Sequence, residues 1–296
     1  MNISVITVSF PLDGETLEEV RALCEEATIQ DYRVYETIMN VPVAGSFDSK
    51  GFMVLAYDDD KDQVIGAASA IDLMGLHTYE WSLVVAPMYR RLGIGSALVE
   101  VLQAGLVERG AEGQLALIVE GAPFSQPFIE RSGYAYSFSE ATLETKAEPA
   151  NWCNDILIEQ YAGEKEQLIA IYSEAFGDLP EESEELIHFN TSQETRTLWV
   201  ARKDGEVVGT VTTAEEGDVH WVTALAVHPM YQGQGVGTAL LSYTKDFASR
   251  SGAKYVMLDV EIENCKALSV YEKAGFMKAQ QIDYYVKNRV ITKFRC

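Results

Sequence analysis

Residues 197–214 read "TLWVARKDGEVVGTVTTA", two runs rich in β-branched and apolar residues on either side of Asp204-Gly205. That pattern predicts a β-hairpin with the Asp-Gly pair as its turn. Residues 219–227 form a further apolar run, stopped by Pro229, and predict another strand. The period then changes. Leu240, Tyr243, Thr244, Phe247 and Ala248 recur at helical spacing, which predicts a helix ending near Gly252. Residues 254–260, "KYVMLDV", predict a strand, residues 264–274 a helix capped by Gly275, and the remainder a strand. Ahead of the hairpin, residues 155–160 predict a strand, and residues 164–176 and 181–189 two acidic helices. Strands alternating with helices place the chain in the α/β class, and the hairpin makes the sheet mixed rather than all-parallel.

The same order occurs earlier: a hairpin over 51–71, a strand over 77–85, a helix over 93–109, a strand over 115–119 and a helix over 124–132. The two series are in register. Pro87 and Pro229 are 142 residues apart, as are Gly133 and Gly275. At that offset Leu83, Val85, Met88, Tyr89, Gly93, Gly95, Ala97, Leu98 and Gly110 all find the same residue, with no gap. The chain is therefore a tandem repeat. Its 296 residues fit two domains of the usual ~100–150 residues each. The boundary is expected in the polar segment 144–155 around Pro149, giving domains over 1–146 and 154–296.

"VHPMYQGQGVGTALL", residues 227–241, leads from a predicted strand into a predicted helix. Gly233, Gly235 and Gly237 lack a Cβ, so backbone N–H groups can close on a ligand there. The first turn of a helix also presents unpaired donors and the positive end of its dipole. This combination binds phosphate or pyrophosphate. A Walker A loop would need a lysine before Thr238. A dinucleotide fingerprint would need a small residue at Leu240, although Asp259 mimics its ribose-binding acid. No G-x-S-x-G elbow occurs, and His77, His188, His220 and His228 have no paired ligand spacing, so no metal is expected.

The spacing that fits is Q/R-x-x-G-x-G/A, carried by Gln232, Gly235 and Gly237 and by Arg90, Gly93 and Gly95. Both copies carry V-x-P-x-Y-x-x-x-G-x-G-x-x-L. The second adds N-x-x-A-x-x-x-Y-x-x-x-G-F at Asn264, Ala267, Tyr271, Gly275 and Phe276. On these residues the chain resembles the GCN5-related N-acetyltransferase (GNAT) superfamily. The resemblance implies two tandem domains, each a mixed, mostly antiparallel sheet flanked by helices, with acetyl-CoA as co-substrate. It implies that Gln232, Gly233, Gln234, Gly235, Val236, Gly237 and Thr238 hold the pyrophosphate. Backbone N–H groups of Leu225, Ala226 and Val227 would face the thioester carbonyl, Asn264 the pantetheine arm, and Tyr271 the sulfur. Asn264 and Tyr271 are two helical turns apart and so share a face. A tyrosine of pKa ~10 stays protonated at neutral pH and can donate to a departing thiolate. The general base is open. Many relatives carry a glutamate where Thr223 stands here, with Trp81 in the first copy; Glu261, His220 and a water chain are the alternatives.

In the first copy Ala122 and Ile129 replace Asn264 and Tyr271. Val85, Arg90, Gly93, Gly95 and Ser96 form a candidate second CoA site, with Arg90-Arg91 adding positive charge for phosphates. A silent scaffold, acyl-CoA binding without turnover, and a site that dispenses with tyrosine all fit this copy.

Charge narrows the partners. A formal net charge of −22 excludes a phosphate-backbone footprint and disfavours anionic membrane surfaces. It would steer a cationic amine inward, although acidity serves solubility equally well. The expected acceptor is a primary amine of a small molecule or peptide. Asp178, Glu181, Glu182, Glu184 and Glu185, with Phe176, Leu179 and Phe189, make an acidic and aromatic lip for it; a solvated helix face accounts for the same acids. No apolar run reaches the ~18–20 residues that span a bilayer. The N-terminal sequence has no signal-peptide pattern, and Cys24, Cys153, Cys265 and Cys296 are widely spaced. A cytoplasmic location is expected. The rival to an N-acetyltransferase is a protein that senses acyl-CoA or binds a partner without turnover.

Overall fold

A computed structural model describes residues 2–39, 50–72, 75–152 and 155–287; Cys153 and Cys296 lie outside the described residues. The chain divides into two compact units, and neither is one continuous stretch. Met1–Ser139 and Gln280–Cys296 make the first, and Glu140–Ala279 the second. The sequence instead suggests one cut, between 146 and 154. The difference arises because the last strand of each repeat changes unit partway along.

The first unit contains β1 (Ile3–Ser9), α1 (Gly14–Asp31), α2 (Glu36–Met39), β2 (Lys50–Asp58), β3 (Gln63–Asp72), β4 (Thr78–Val85), α3 (Ile94–Glu108), β5 (Gly113–Val119), α4 (Ser125–Arg131) and the beginning of β6 (Tyr134–Lys146). β1 and α1 precede the first hairpin and have no counterpart among the elements expected from the sequence. Asp13 starts α1 by accepting a hydrogen bond from the Thr16 N–H at 2.9 Å. Val20, Leu23, Cys24 and Ala27 then fall on one buried face. β1 to β4 form an antiparallel meander, and β5 joins β4 in parallel.

The second unit repeats the plan with β7 (Ile156–Gln160), α5 (Lys165–Phe176), α6 (Pro180–Ser192), β8 (Arg196–Lys203), β9 (Glu206–Glu216), β10 (Val219–Val227), α7 (Val236–Arg250), β11 (Tyr255–Glu261), α8 (Cys265–Lys273) and the beginning of β12 (Met277–Lys287). β7 to β10 are antiparallel, and β11 joins β10 in parallel. Two cores flank this sheet. Leu168, Ile171, Tyr172 and Ile187 of α5 and α6 cover one face; Leu240, Leu241 and Ala248 of α7 with Tyr271 of α8 cover the other. The mixed, mostly antiparallel sheet with helices on its faces is the fold class the sequence predicts.

Each sheet is finished by the other repeat's last strand. Ile282–Val286 of β12 pair antiparallel with Leu115–Val119 of β5, and Tyr285 is buried in the first unit's core. Glu140–Lys146 of β6 pair antiparallel with Tyr255–Glu261 of β11, and Ala141 and Leu143 are buried in the second unit's core.

Candidate functional site

In the second unit the parallel ladder between β10 and β11 covers only Val219–Trp221 against Tyr255–Met257. Beyond Trp221 the ladder stops, and among the described residues the backbone groups of Val222–Val227 that face β11 have no ladder partner. On its other edge β10 carries a bulge: its register with β9 jumps between Thr223 and Ala226, and Ala224 takes a left-handed φ of 49°. The N–H groups of a strand alternate in direction, so those of Leu225 and Val227 turn to the gap, while Ala226 pairs with Thr210 of β9; the resemblance places the thioester carbonyl at this segment.

The glycine phrase sits at the end of this strand. Gly235 is the N-cap of α7 with φ 86°, a conformation that costs a side-chain-bearing residue roughly 1–2 kcal/mol. No side chain caps the helix, so the N–H groups of its first turn stay available for an anion. Gln232 Nε2 donates to the Val227 carbonyl at 3.2 Å, and Gln234 Nε2 to the Met230 carbonyl at 3.0 Å. These two glutamines brace the loop through their side chains. Lys203 Nζ donates to Gln234 Oε1 at 3.1 Å and so puts a cation beside the cradle. The sequence reading missed Lys203, since β8 lies 31 residues upstream of Gln234 and no local pattern joins them.

α8 packs directly on this end. A Cβ at Gly237 would lie 3.7 Å from Val270 Cγ1 and 3.8 Å from Val227 Cγ2, so strand end, cradle and α8 meet there. Tyr271, the next residue on α8, is 9% exposed, and burial raises its phenol above the ordinary tyrosine range. Among the described residues nothing hydrogen-bonds its hydroxyl. Asn264 is the N-cap of α8: its Oδ1 accepts from the Ala267 N–H at 3.1 Å. That bond accounts for the asparagine on structural grounds alone.

The two candidate bases stand at different levels of the β10–β11 pair. His220 stands where the ladder is still closed, 3% exposed against Phe247, and burial lowers its pKa against the pull of Glu215. Glu261 is exposed at the end of β11. Thr223 Oγ1 instead accepts from Arg196 Nη2 at 3.1 Å. In the acidic lip, Glu182 accepts from the Leu179 N–H at the start of α6, and Glu184 pairs with Lys165 at 2.8 Å. Both of these carboxylates serve the helices.

The first unit has the same gap, since β4 and β5 pair only over Thr78–Trp81 against Gly113–Ala116. A cleft of about 400 Å³ opens there, lined by Val85, Gly93, Gly95, Ser96, Phe128 and Ile129 among others. Its register with β3 is unbroken from Glu80 to Val85, so β4 carries no bulge. Arg90 lines this cleft and already has an acid partner. Its Nη1 and Nη2 bond Asp31 at 2.8 and 2.7 Å, and its Nε donates to the Val85 carbonyl at 3.0 Å. The guanidinium ties α1 to the strand end, and Arg91 lines the cleft as well.

This pair gives a pH-dependent expectation. Burial acts to raise Asp31, but the Arg90 and Tyr35 hydrogen bonds and the Arg90 charge outweigh it and hold the carboxyl below its usual range. A depressed carboxylate stabilises the fold above its unfolded pKa of about 3.9 and loses that contribution as pH falls through the lower folded value. Asp31→Asn is expected to cost the first unit about 2 kcal/mol at pH 7, with the gap to wild type closing below about pH 4. Hydrogen exchange of α1 at pH 7 and at pH 3 measures both.

Among the described residues no cluster of three or more His, Cys, Asp and Glu is placed to hold a metal ion, and no helix is long and apolar enough to cross a membrane. Comparison with known proteins agrees with the two-copy plan. The acetyltransferase (GNAT) family pattern matches residues 15–134 and again 165–276. The mycothiol acetyltransferase of Acidothermus cellulolyticus is 26% identical over 263 residues, covering 77% of this chain and 78% of its own. That of Rhodococcus jostii is 26% identical over 306 residues, covering 93% and 96%. Among solved structures, a GCN5-related N-acetyltransferase from Sphaerobacter thermophilus superposes with a TM-score of 0.75 at 17% identity over 96% of this chain and 95% of that one. A tandem GNAT protein from the clavulanic acid biosynthesis pathway gives 0.69 at 16% identity, over 96% and 98%. With its opened strands, glycine-capped helices and two matching segments, the chain belongs to the acetyltransferase (GNAT) family and is an acetyl-CoA-dependent acetyltransferase.

Proposed function

We propose that the second unit transfers an acetyl group from acetyl-CoA to the primary amine of a small molecule or peptide by direct attack, with Tyr271 as general acid. The single observation that carries this is that the second unit combines the bulge in β10 with Tyr271 on α8, because the first unit lacks both. The cradle of Gly235, Val236, Gly237 and Thr238 suits the pyrophosphate, and the gap-facing N–H groups of Leu225 and Val227 suit the thioester carbonyl oxygen as it gains charge. The amine nitrogen bonds to the carbonyl carbon while the carbon–sulfur bond breaks and its electron pair stays on sulfur. The Tyr271 O–H donates a proton to that sulfur and recovers one from solvent; the proton lost from nitrogen passes to water. Relatives at about one quarter identity are named mycothiol acetyltransferases, which supports a small-molecule amine.

The approximately 400 Å³ cleft of the first unit supports a second reading, acyl-CoA binding there without turnover. Both are tested by thermal shift with acetyl-CoA and by thiol release against an amine panel. A shift with thiol release is the expected result. Acetyl-CoA should raise stability by about 2.7 kcal/mol at 100-fold excess over its dissociation constant. A shift without thiol release from any amine leaves only the binding reading, and no shift removes both.

A further inference from the structure

Arg196 is a half-buried cation with no anion of its own. It opens β8 and lies between α6 and the sheet. Its Nε donates to Asn190 Oδ1 at 2.9 Å, its Nη2 donates to Thr223 Oγ1 at 3.1 Å, and its guanidinium carbon sits 4.7 Å from the centre of the Phe189 ring. All three partners are neutral. Among the described residues no carboxylate lies within 4.0 Å of it, whereas Arg202, comparably buried in the same unit, pairs with Glu164 and Glu159. In a chain with 45 acidic and 23 basic residues, that isolation is a local choice and does not follow from composition.

The surroundings are also unfinished. Asn190 and Thr212 are both fully buried, and Asn190 Nδ2 and Thr212 Oγ1 have no hydrogen-bond partner among the described residues. Thr212 stands directly across the sheet from Thr223 and so shares its face. Buried polar groups are normally satisfied, and an exception asks for a missing partner. Thr223 is the last β10 residue before the bulge, so the guanidinium lies where the acceptor must reach the opened strands. Phe189, whose ring lies against the guanidinium, is itself 49% exposed.

We infer that Arg196 is a specificity-determining residue that binds a carboxylate on the acceptor, so the substrate class is an amine bearing a nearby carboxylate, as in amino acids and related compounds. The inference rests on placing transfer in the second unit. A guanidinium offers paired N–H donors that match a carboxylate's two oxygens, and among the described residues Nη1 has no hydrogen-bond partner. The remaining acids of the lip, Asp178, Glu181 and Glu185, would face the ammonium end of such a zwitterion.

The test offers each protein amino acid as free acid and as carboxamide to the full-length protein, reading binding by thermal shift in the presence of CoA and turnover by thiol release. At least one pair should favour the acid about tenfold or more in both binding and kcat/KM, equivalent to ~1.4 kcal/mol. Arg196→Gln should bring that ratio to about one through KM, leaving the acetyl-CoA shift and the carboxamide unchanged. Arg196→Lys, which keeps charge without the fork, should retain part of it and serves if the glutamine variant does not fold. A wild-type ratio near one, no binding by any acid, or a ratio that survives in the variants overturns the inference. Equal losses for acid and carboxamide would assign Arg196 to holding α6 and overturn it too. Acid-selective, Arg196-dependent binding without thiol release would uphold it and defeat the transfer reading instead.

Discussion

Tyr271→Phe is expected to lower kcat about 100-fold at saturating acetyl-CoA and amine, within the range by which general acids accelerate reactions. The affinity for acetyl-CoA should stay unchanged. The ring belongs to the core formed by α7, α8 and β11, and phenylalanine fills the same volume without the hydroxyl. On the proposed mechanism the lost step is protonation of the departing sulfur, so acetyl-CoA should still bind while thiol release slows. The pH profile sharpens the test. Burial raises the Tyr271 phenol, so the protonated, competent form persists above pH ~10, where an ordinary tyrosine would have ionised. The wild-type rate should therefore show no tyrosine limb in the neutral and mildly alkaline range. Full turnover in the variant would remove Tyr271 from the role. Ile129 holds the matching position in the first unit and is buried, which fits a packing side chain there.

Tyr285→Ala is expected to destabilise the first unit by about 3 kcal/mol, as for other large core aromatics cut to alanine. The residue lies eleven positions before the end of the chain, yet it is 3% exposed in the core of the unit that holds the first 139 residues. It stands opposite Ala116 on β5 and meets Tyr136 edge to face at 5.8 Å. Hydrogen exchange resolved by peptide is the measurement. Protection should fall across β2 to β5 and hold across β8 to β11. The opposite distribution would mean that β12 belongs energetically to its own repeat.

Much of this was legible because it is local. The hairpin about Asp204-Gly205, the α7 period and the spacing of Asn264 and Tyr271 each sit within a few turns of chain. The glycine phrase announced its cradle because Gly235 must adopt a positive φ. What escaped was non-local. Ala141 and Leu143 alternate as in any half-buried strand, and nothing in that alternation names the sheet that receives them. The bulge at Ala224 has no glycine to advertise it; tertiary packing imposes the left-handed turn. The bond between Arg90 and Asp31 spans 59 residues, and no local pattern announces it. The acidic lip was read by counting charges, and that count could not reveal a guanidinium held among neutral groups.

The exchanged strands also bear on how the protein is made. A chain leaving the ribosome from its N-terminus exposes β1 to β5 long before β12 is synthesised, so the first unit waits with an open sheet edge beside β5. The second unit, whose closing strand β6 emerges ahead of the rest of it, can finish once α8 follows β11, before the β5-pairing part of β12 is made. The half translated first is thus the half completed last. A gene cut at the repeat boundary would divide each unit between two products.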